Sequence, residues 1–315
     1  MLKKLVNVAL FLISLLFIIV NDASTAQTRF SLALREGFGS MKIGDLNTTL
    51  ESYNNNPALE DTRQYYPDRC IGEFLPIKDR FTHWEAEIRS YIWGGFSLGI
   101  SIEEKTHFSG QSSLLYTIVD YPGTQTMNQT LTSDIDISSP IRFHLYYSRH
   151  ILAGFHLYAN GGIGFYRARM RQDQDWYNRF PSSAIQVIEN YWDVKGKCRG
   201  YHYGIGLEYR MNKRMSLLAE ARWIQAKIET LSGEAQQNIR FYNPEGTLTE
   251  TVTHTNEGPL FHYIGEDLDY GGWHEKLIVN EEIWQVGTDG PYGIRQAFLD
   301  LSGFTLRIGL KIGLF

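Results

Sequence analysis

From residue 30 onward the chain alternates apolar and polar residues at a period of two, the pattern of strands whose two faces meet different surroundings. The clearest stretch runs from Tyr201 to Arg210. Tyr201, Tyr203, Ile205, Leu207 and Tyr209 share one face; His202, Gly204, Gly206, Glu208 and Arg210 share the other. Leu217 to Trp223, Phe155 to Tyr166 and Ile141 to Ser148 read the same way, as do Phe30 to Arg35, Trp84 to Ile92, Phe96 to Glu103 and Phe304 to Leu314. The pattern therefore predicts eight strands, an even number.

The predicted connections alternate in length. Trp93-Gly94-Gly95, Arg149-His150 and Met211-Asn212-Lys213-Arg214 are short enough for hairpin turns. The other four, about 41–81, 109–138, 173–197 and 231–300, are long. Within them Asn243-Pro244-Glu245-Gly246 followed by Thr247 to His254 suggests a small hairpin, and Asp45 to Tyr53 a short capped helix. An up-and-down meander with its short turns at one end and its long loops at the other is the asymmetry of bacterial transmembrane barrels. The fold class expected is all-β: an eight-stranded antiparallel up-and-down transmembrane β-barrel with four long loops at one end and three short turns at the other.

The chain's start is expected to lie outside that fold. Lys3 and Lys4 precede an unbroken apolar run from Leu5 to Val20, and Ser24-Thr25-Ala26 offers a small-residue cleavage site. Residues 1–26 are therefore expected to be a signal peptide and 27–315 the outer-membrane β-barrel domain. The formal charge of −5 gives no reason to expect nucleic acid as a partner.

Alternation leaves open which face points outward. In a secreted, soluble lipocalin-like binding barrel the apolar face would surround a ligand. In a membrane barrel it meets lipid. Gly99, Gly162, Gly164, Gly204, Gly206, Gly309 and Gly313 all lie on the polar face, where a narrow interior favours small residues. Aromatics on the apolar face gather near the strand ends. Trp84, Phe165, Tyr201, Trp223 and Phe304 fall at the loop end, and Phe30, Phe96, Tyr147, Phe155 and Tyr209 at the turn end. Two such rings match the aromatic girdles of membrane barrels. The terminal Leu-Arg-Ile-Gly-Leu-Lys-Ile-Gly-Leu-Phe ends the chain on a strand.

With these features the chain from residue 27 resembles the small outer-membrane barrels of the OmpA, OmpX and OmpW type. The resemblance implies the lipid bilayer of the outer membrane as surroundings and the barrel-assembly machinery as a partner during biogenesis. One departure is that Phe315 is in phase with Lys311 and Gly313, whereas Leu314 is in phase with the apolar set.

A lumen lined by the polar face would hold Arg35, Arg89, Arg142, Arg210, Arg222, Arg307 and Lys311 against Glu85, Glu87, Glu103, Glu208 and Glu220. Buried charges are costly unless paired, so these are expected to form one ion-pair network that plugs the barrel. A surface-exposed anchor or binding scaffold is the function expected, with a narrow passive pore for small solutes as the alternative. His144, His156 and His202 also face inward and offer imidazoles for a metal, although the expectation is hydrogen bonding, with no cofactor. No Ser–His–acid set stands out, so no enzyme is expected. The segment 231–300 holds 12 acidic against three basic residues, which suits a solvated acidic loop, a surface ligand, or divalent cations bridging it to anionic lipid. Cys70 and Cys198 both fall on the external side, an oxidising compartment, and a disulfide between them is expected.

Overall fold

The computed structural model describes residues 30–55, 63–66, 68–120, 123–267, 272–281 and 293–314. The expected signal peptide and Phe315 therefore lie outside the described residues. In chain order the elements are β1 (Phe30–Met41), α1 (Asp45–Asn54), β2 (Cys70–Glu73), β3 (Arg80–Tyr91), β4 (Phe96–Glu103), β5 (Thr106–Asp120), β6 (Gly123–Leu152), β7 (Phe155–Arg179) and β8 (Ile185–Arg210). They continue as β9 (Met215–Gln225), β10 (Lys227–Ile228), β11 (Ser232–Tyr242), β12 (Leu248–Asp267), β13 (Gly272–Val279), β14 (Gly293–Gln296), β15 (Leu299–Asp300) and β16 (Gly303–Gly313).

Eight of these strands close a ring. β1 pairs with β3, β3 with β4, β4 with β6, β6 with β7, β7 with β8, β8 with β9, β9 with β16, and β16 with β1, all antiparallel. The eight are those predicted from the alternation. Leu98, Ile100, Phe143, Leu145, Ile163, Ile205, Leu207, Leu217, Leu306 and Ile308 are exposed around this barrel, forming an apolar belt. Aromatic contacts rim it at both ends: Trp223 packs 5.7 Å from Tyr203 and 5.1 Å from Phe304, while Phe155 lies 4.7 Å from Tyr209 and Phe96 5.0 Å from Tyr147. One acid interrupts the belt, Glu36, exposed between Leu34 and Phe38 and opposite Trp84.

Two of the three short turns fall where the sequence placed them. Gly94 and Gly95 make the β3–β4 turn with φ of 59° and 93°, a conformation glycine reaches without a Cβ penalty. Asn212 Oδ1 accepts the amides of Arg214 and Met215 at 2.8 Å in the β8–β9 turn. The turn expected at Arg149-His150 is displaced. β6 continues through a register shift to Leu152, and the chain reverses at Ala153-Gly154, where Gly154 has φ 81°.

The long connections are largely strands rather than loops. β6, β7 and β8 run 30, 25 and 26 residues, far more than the roughly 9–11 that cross a bilayer. Their upper halves form a second sheet in the order β2-β5-β6-β7-β8-β11-β12, with β13 and β14 both pairing β12. The expected hairpin is the β11–β12 turn, in which Gly246 donates to the Asn243 carbonyl at 3.0 Å and Thr247 to Asn243 Oδ1 at 2.7 Å. Here the polarity of the faces is reversed: Leu131, Ile135, Ile137, Ala168, Met170 and Val194 are buried inside with Phe74, Leu260 and Leu299. The outward neighbours on β7 and β8 include Arg167, Arg169, Arg171, Lys195 and Lys197, with Asp193 among them bonded to Arg169.

Helix α1 joins the two edges of this external sheet. Asn47 and Asn54 present their amides to the backbone after β2 as a strand would, Asn47 bonding both N–H and C=O of Ile77 (2.9 and 3.0 Å) and Asn54 doing the same at Phe74. On its other side Asp45 receives both Nη atoms of Arg295 at 2.6 and 2.7 Å and the amide of Phe298 at 2.8 Å. Asp45 thus does not cap its own helix, which starts from Gly44 without a side-chain cap. Leu46 and Leu50, one turn apart, bury the helix against the core.

Candidate functional site

The barrel interior is packed by setting large polar side chains against glycine across the ladders. Arg35 stands opposite Gly309, Arg89 opposite Gly99, Arg142 opposite Gly164, Glu220 opposite Gly206 and Arg222 opposite Gly204. A Cβ added at Gly206 would lie 2.4 Å from the Tyr158 ring and 2.5 Å from the Ala219 carbonyl. Gly206→Ala is therefore expected to cost about 1–3 kcal/mol by overpacking, read as a lower unfolding midpoint in urea. A variant as stable as the parent would show a loosely filled interior.

Glu85 is the centre of the network. Its carboxylate forms ion pairs with Arg35 Nη1 at 2.8 Å, Arg222 Nη1 at 2.8 Å, Arg307 Nη1 at 2.7 Å and Arg142 Nη1 at 3.5 Å. These four arginines, contributed by four different strands, are each 2 % exposed or less. Glu87 is bonded by Arg35 (2.6 Å), by Arg89 Nε (2.9 Å) and by the Tyr146 hydroxyl (2.5 Å). Glu103 holds Arg142, Arg307 at 2.9 Å and His83 at 2.9 Å, and Glu220 holds Arg222 Nε at 2.6 Å and the Tyr158 hydroxyl at 3.1 Å. The Arg89 guanidinium stacks 3.5 Å from the Tyr146 centroid, a cation–π contact favoured by its desolvation.

Three members of the predicted set, Glu208, Arg210 and Lys311, sit apart. Lys311 pairs with Glu208 toward the turn end. Arg210 is a correction: its side chain is 55 % exposed at the rim, 3.8 Å from Glu208, because it closes β8 at the turn. The sequence reading missed His83, although it is in phase with Glu85 and Glu87. Tyr146, Tyr158 and Tyr166, in phase with the inward residues of β6 and β7, wall the arginines.

The three histidines do not converge. Ser101 Oγ lies 2.7 Å from His144 Nε2, and His144 Nδ1 lies 2.7 Å from His202 Nε2, a buried chain of hydrogen bonds. His156 stands at the turn end beside His150, ring centroids 5.1 Å apart. Ligand atoms of Glu85, Glu87 and His144 come within 4.8 Å of one another. Arginines already occupy both carboxylates, so this trio suits an ion-pair cluster better than a metal.

The expected disulfide is also corrected, since Cys70 and Cys198 are free thiols. Cys70 is paired opposite Tyr116 in the β2–β5 ladder and Cys198 opposite Tyr166 in the β7–β8 ladder. β2 lies four strands from β8 around the sheet. Both thiols contribute to the external apolar core instead, and burial pushes the Cys198 thiol up to about 11, away from a reactive thiolate.

The profile of a protein family described as outer membrane protein β-barrel domain matches residues 13–245. Among curated proteins no relative matches. Similar solved structures include Neisserial surface protein A (7 % identity, 90 % of this chain and 97 % of that one, TM-score 0.29). The outer membrane protein OprG of Pseudomonas aeruginosa is similar at 10 % identity, over 90 % and 95 % of the two chains, with a TM-score of 0.33. A major outer membrane protein of Thermus thermophilus is similar at 8 % identity, over 92 % and 100 %, with a TM-score of 0.29.

Proposed function

The chain belongs to the outer membrane protein β-barrel domain family and sits in the bacterial outer membrane; from that premise we propose that it is a plugged anchor which displays a rigid β-structure at the cell surface. The observation that carries this reading is the Glu85 cluster, four arginines from four strands meeting one carboxylate inside the ring. Guanidinium groups that share a buried acid cannot separate to admit a solute without leaving charges unpaired at a cost of several kcal/mol each. Above the cluster the interior turns apolar and is filled by residues such as Phe81, Phe108, Ile137 and Tyr166. A water-filled path would have to cross both layers.

The external sheet supports the display role. It has its own core and is tied to the barrel by continuous strands rather than by hinges. The mostly acidic segment 231–300 contributes β11–β14 to it, a surface suited to a cationic or metal-bridged partner.

Planar-bilayer recordings of the refolded full chain test the proposal. Electrical silence is expected, together with heat-modifiable gel migration that reports a folded barrel. Discrete conductance steps would overturn it in favour of a narrow pore.

A further inference from the structure

Where the outward face of the barrel changes from apolar to charged, the first charges met on β7 and β8 are all positive. Arg199 stands opposite Phe165, the last aromatic of the belt on β7. Arg167 faces Lys197 on the next outward step, and Arg169 faces Lys195 on the one after. With a rise of about 3.3 Å per residue and strands tilted by about 40°, these three levels lie within roughly 10 Å of the aromatic rim. The polar head-group layer is roughly 5–8 Å deep on each side, so Arg199, Arg167 and Lys197 lie within it and Arg169 and Lys195 at its outer edge.

The acids nearby are already taken. Asp136 binds Lys105 at 2.8 Å and His107 at 2.9 Å, and these bonds hold its carboxyl below the usual range against the opposing effect of burial. Asp193 is bonded by Arg169 at 2.8 Å, which keeps it ionised too. Arg167, Lys195 and Lys197 make no ion pair among the described residues. The Arg199 guanidinium lies 5.9 Å from the Phe165 centroid, half over the belt and half above it. Between these side chains is an open groove of about 660 Å3, lined by Arg167, Lys195 and Lys197, by the Lys105–Asp136 ion pair, and by Ser138 and Thr230. The groove combines unpaired cations and hydroxyl donors directly above a lipid-facing wall.

We propose that this groove on β6–β8 is a docking surface for lipids of the outer leaflet whose head groups carry phosphate, with the acyl chains lying down the belt below. Free cations that face one another across a ladder repel, as Arg167 and Lys197 do, and a shared phosphate relieves that repulsion. A phosphate accepts several such donors at once, and each basic residue close to an anionic lipid surface contributes about fivefold in binding.

The test uses the full chain in phosphatidylcholine vesicles doped with spin-labelled phosphatidic acid or spin-labelled phosphatidylcholine. The fraction of motionally restricted label gives the relative affinity of the two lipids for the barrel surface. The parent should prefer phosphatidic acid, and the preference should weaken as sodium chloride is raised. Replacing Arg167, Lys195, Lys197 and Arg199 together by glutamine should bring it to parity with phosphatidylcholine. Lys213→Gln with Arg214→Gln, at the opposite end of the barrel, should leave it intact. Heat-modifiable migration confirms that each variant is folded. Should the fourfold variant not fold, Arg167→Gln/Lys197→Gln and Lys195→Gln/Arg199→Gln each carry the test with a partial loss. Three outcomes overturn the proposal: no preference in the parent, a preference unchanged in the folded variants, or equal loss in the turn-end control. A fourth does so as well, namely displacement of the lipid by inorganic phosphate at an ionic strength where chloride displaces none, which would mark a site for free phosphate.

Discussion

Deleting Arg167 should unfold the external half of the molecule, whereas deleting Pro140, its near neighbour across the β6–β7 ladder, should leave the fold standing. Arg167 is exposed and its side chain carries little stability, so Arg167→Gln is expected to fold normally. Loss of the residue itself is different, because every side chain beyond a one-residue deletion moves to the other face. Ala168 and Met170 would leave the core, and Arg169 and Arg171 would enter it. Exposing Met170 costs about 1.5–3 kcal/mol and each unpaired buried guanidinium several more. The sum is on the order of 10 kcal/mol, comparable with the whole stability of a domain. Pro140 sits where Ser138 pairs Arg167 and Ile141 pairs Phe165, so that two residues of β6, Ser139 and Pro140, stand against one of β7, Tyr166. This is a β-bulge, and removing its extra residue leaves Ser139 and Arg142 both inside. Limited proteolysis of the refolded proteins reads the outcome: rapid cleavage within 123–138 and 168–197 for the Arg167 deletion, parent-like resistance for the Pro140 deletion. Equal resistance in both would refute the inverted packing of the external sheet.

The same bulge explains where the sequence was legible and where it was not. On β6 the apolar residues keep odd numbers from Leu131 through Tyr147, yet Ile135 and Ile137 are buried while Phe143 and Leu145 are exposed. Periodicity alone cannot register that change of side, because the extra residue at 139–140 cancels it. On β7 and β8 the change is made in the opposite way. The strand stays regular and the apolar residues change phase, from Ile163 and Phe165 to Ala168 and Met170, and from Tyr203 and Tyr201 to Val194 and Trp192. A reading that seeks one amphipathic phase ends the strand at that point and assigns a loop. The membrane-spanning strands were legible because each keeps a single phase across the lipid, with Glu36 on β1 the exception on the outer face.

Within the lumen the inward residue types were legible and their contacts were not. Glu85, Glu87, Arg35 and Arg222 follow from the period-two pattern, but a carboxylate shared by four strands depends on shear and tilt, which the alternation does not encode. Arg210 has the right phase and the wrong height. Phase fixes the face of a residue; only the position of the turn fixes whether it reaches the interior. The Cys70 and Cys198 pairing failed for a related reason, since lying on a shared external side says nothing of the strands between them. The tie between α1 and the sheet edges, through Asn47, Asn54 and Asp45, has no local signature beyond residues common in any loop.

Glu85→Gln should destabilise the barrel by about 3–5 kcal/mol, the cost of stranding buried charge by removing its partner, and should do so more than Glu208→Gln, whose carboxylate lies toward the turn end with Lys311 and Arg210 as its partners. Arg35, Arg142, Arg222 and Arg307 would then converge on a neutral amide, with Glu87, Glu103 and Glu220 left to balance them. Glutamine keeps the shape of the side chain, so the loss reports charge rather than a cavity. Adding Arg307→Met to Glu85→Gln should recover part of it, because the second change removes one of the unpaired guanidinium groups. The two effects are therefore expected to be strongly non-additive, as they are for groups in one network. Urea unfolding of the four proteins in the cycle, followed by tryptophan fluorescence and gel migration in the same detergent, measures the coupling. Independent, additive losses below about 1 kcal/mol would mean that the arginines are separately hydrated, and the plug would have to be given up for an open, water-filled lumen.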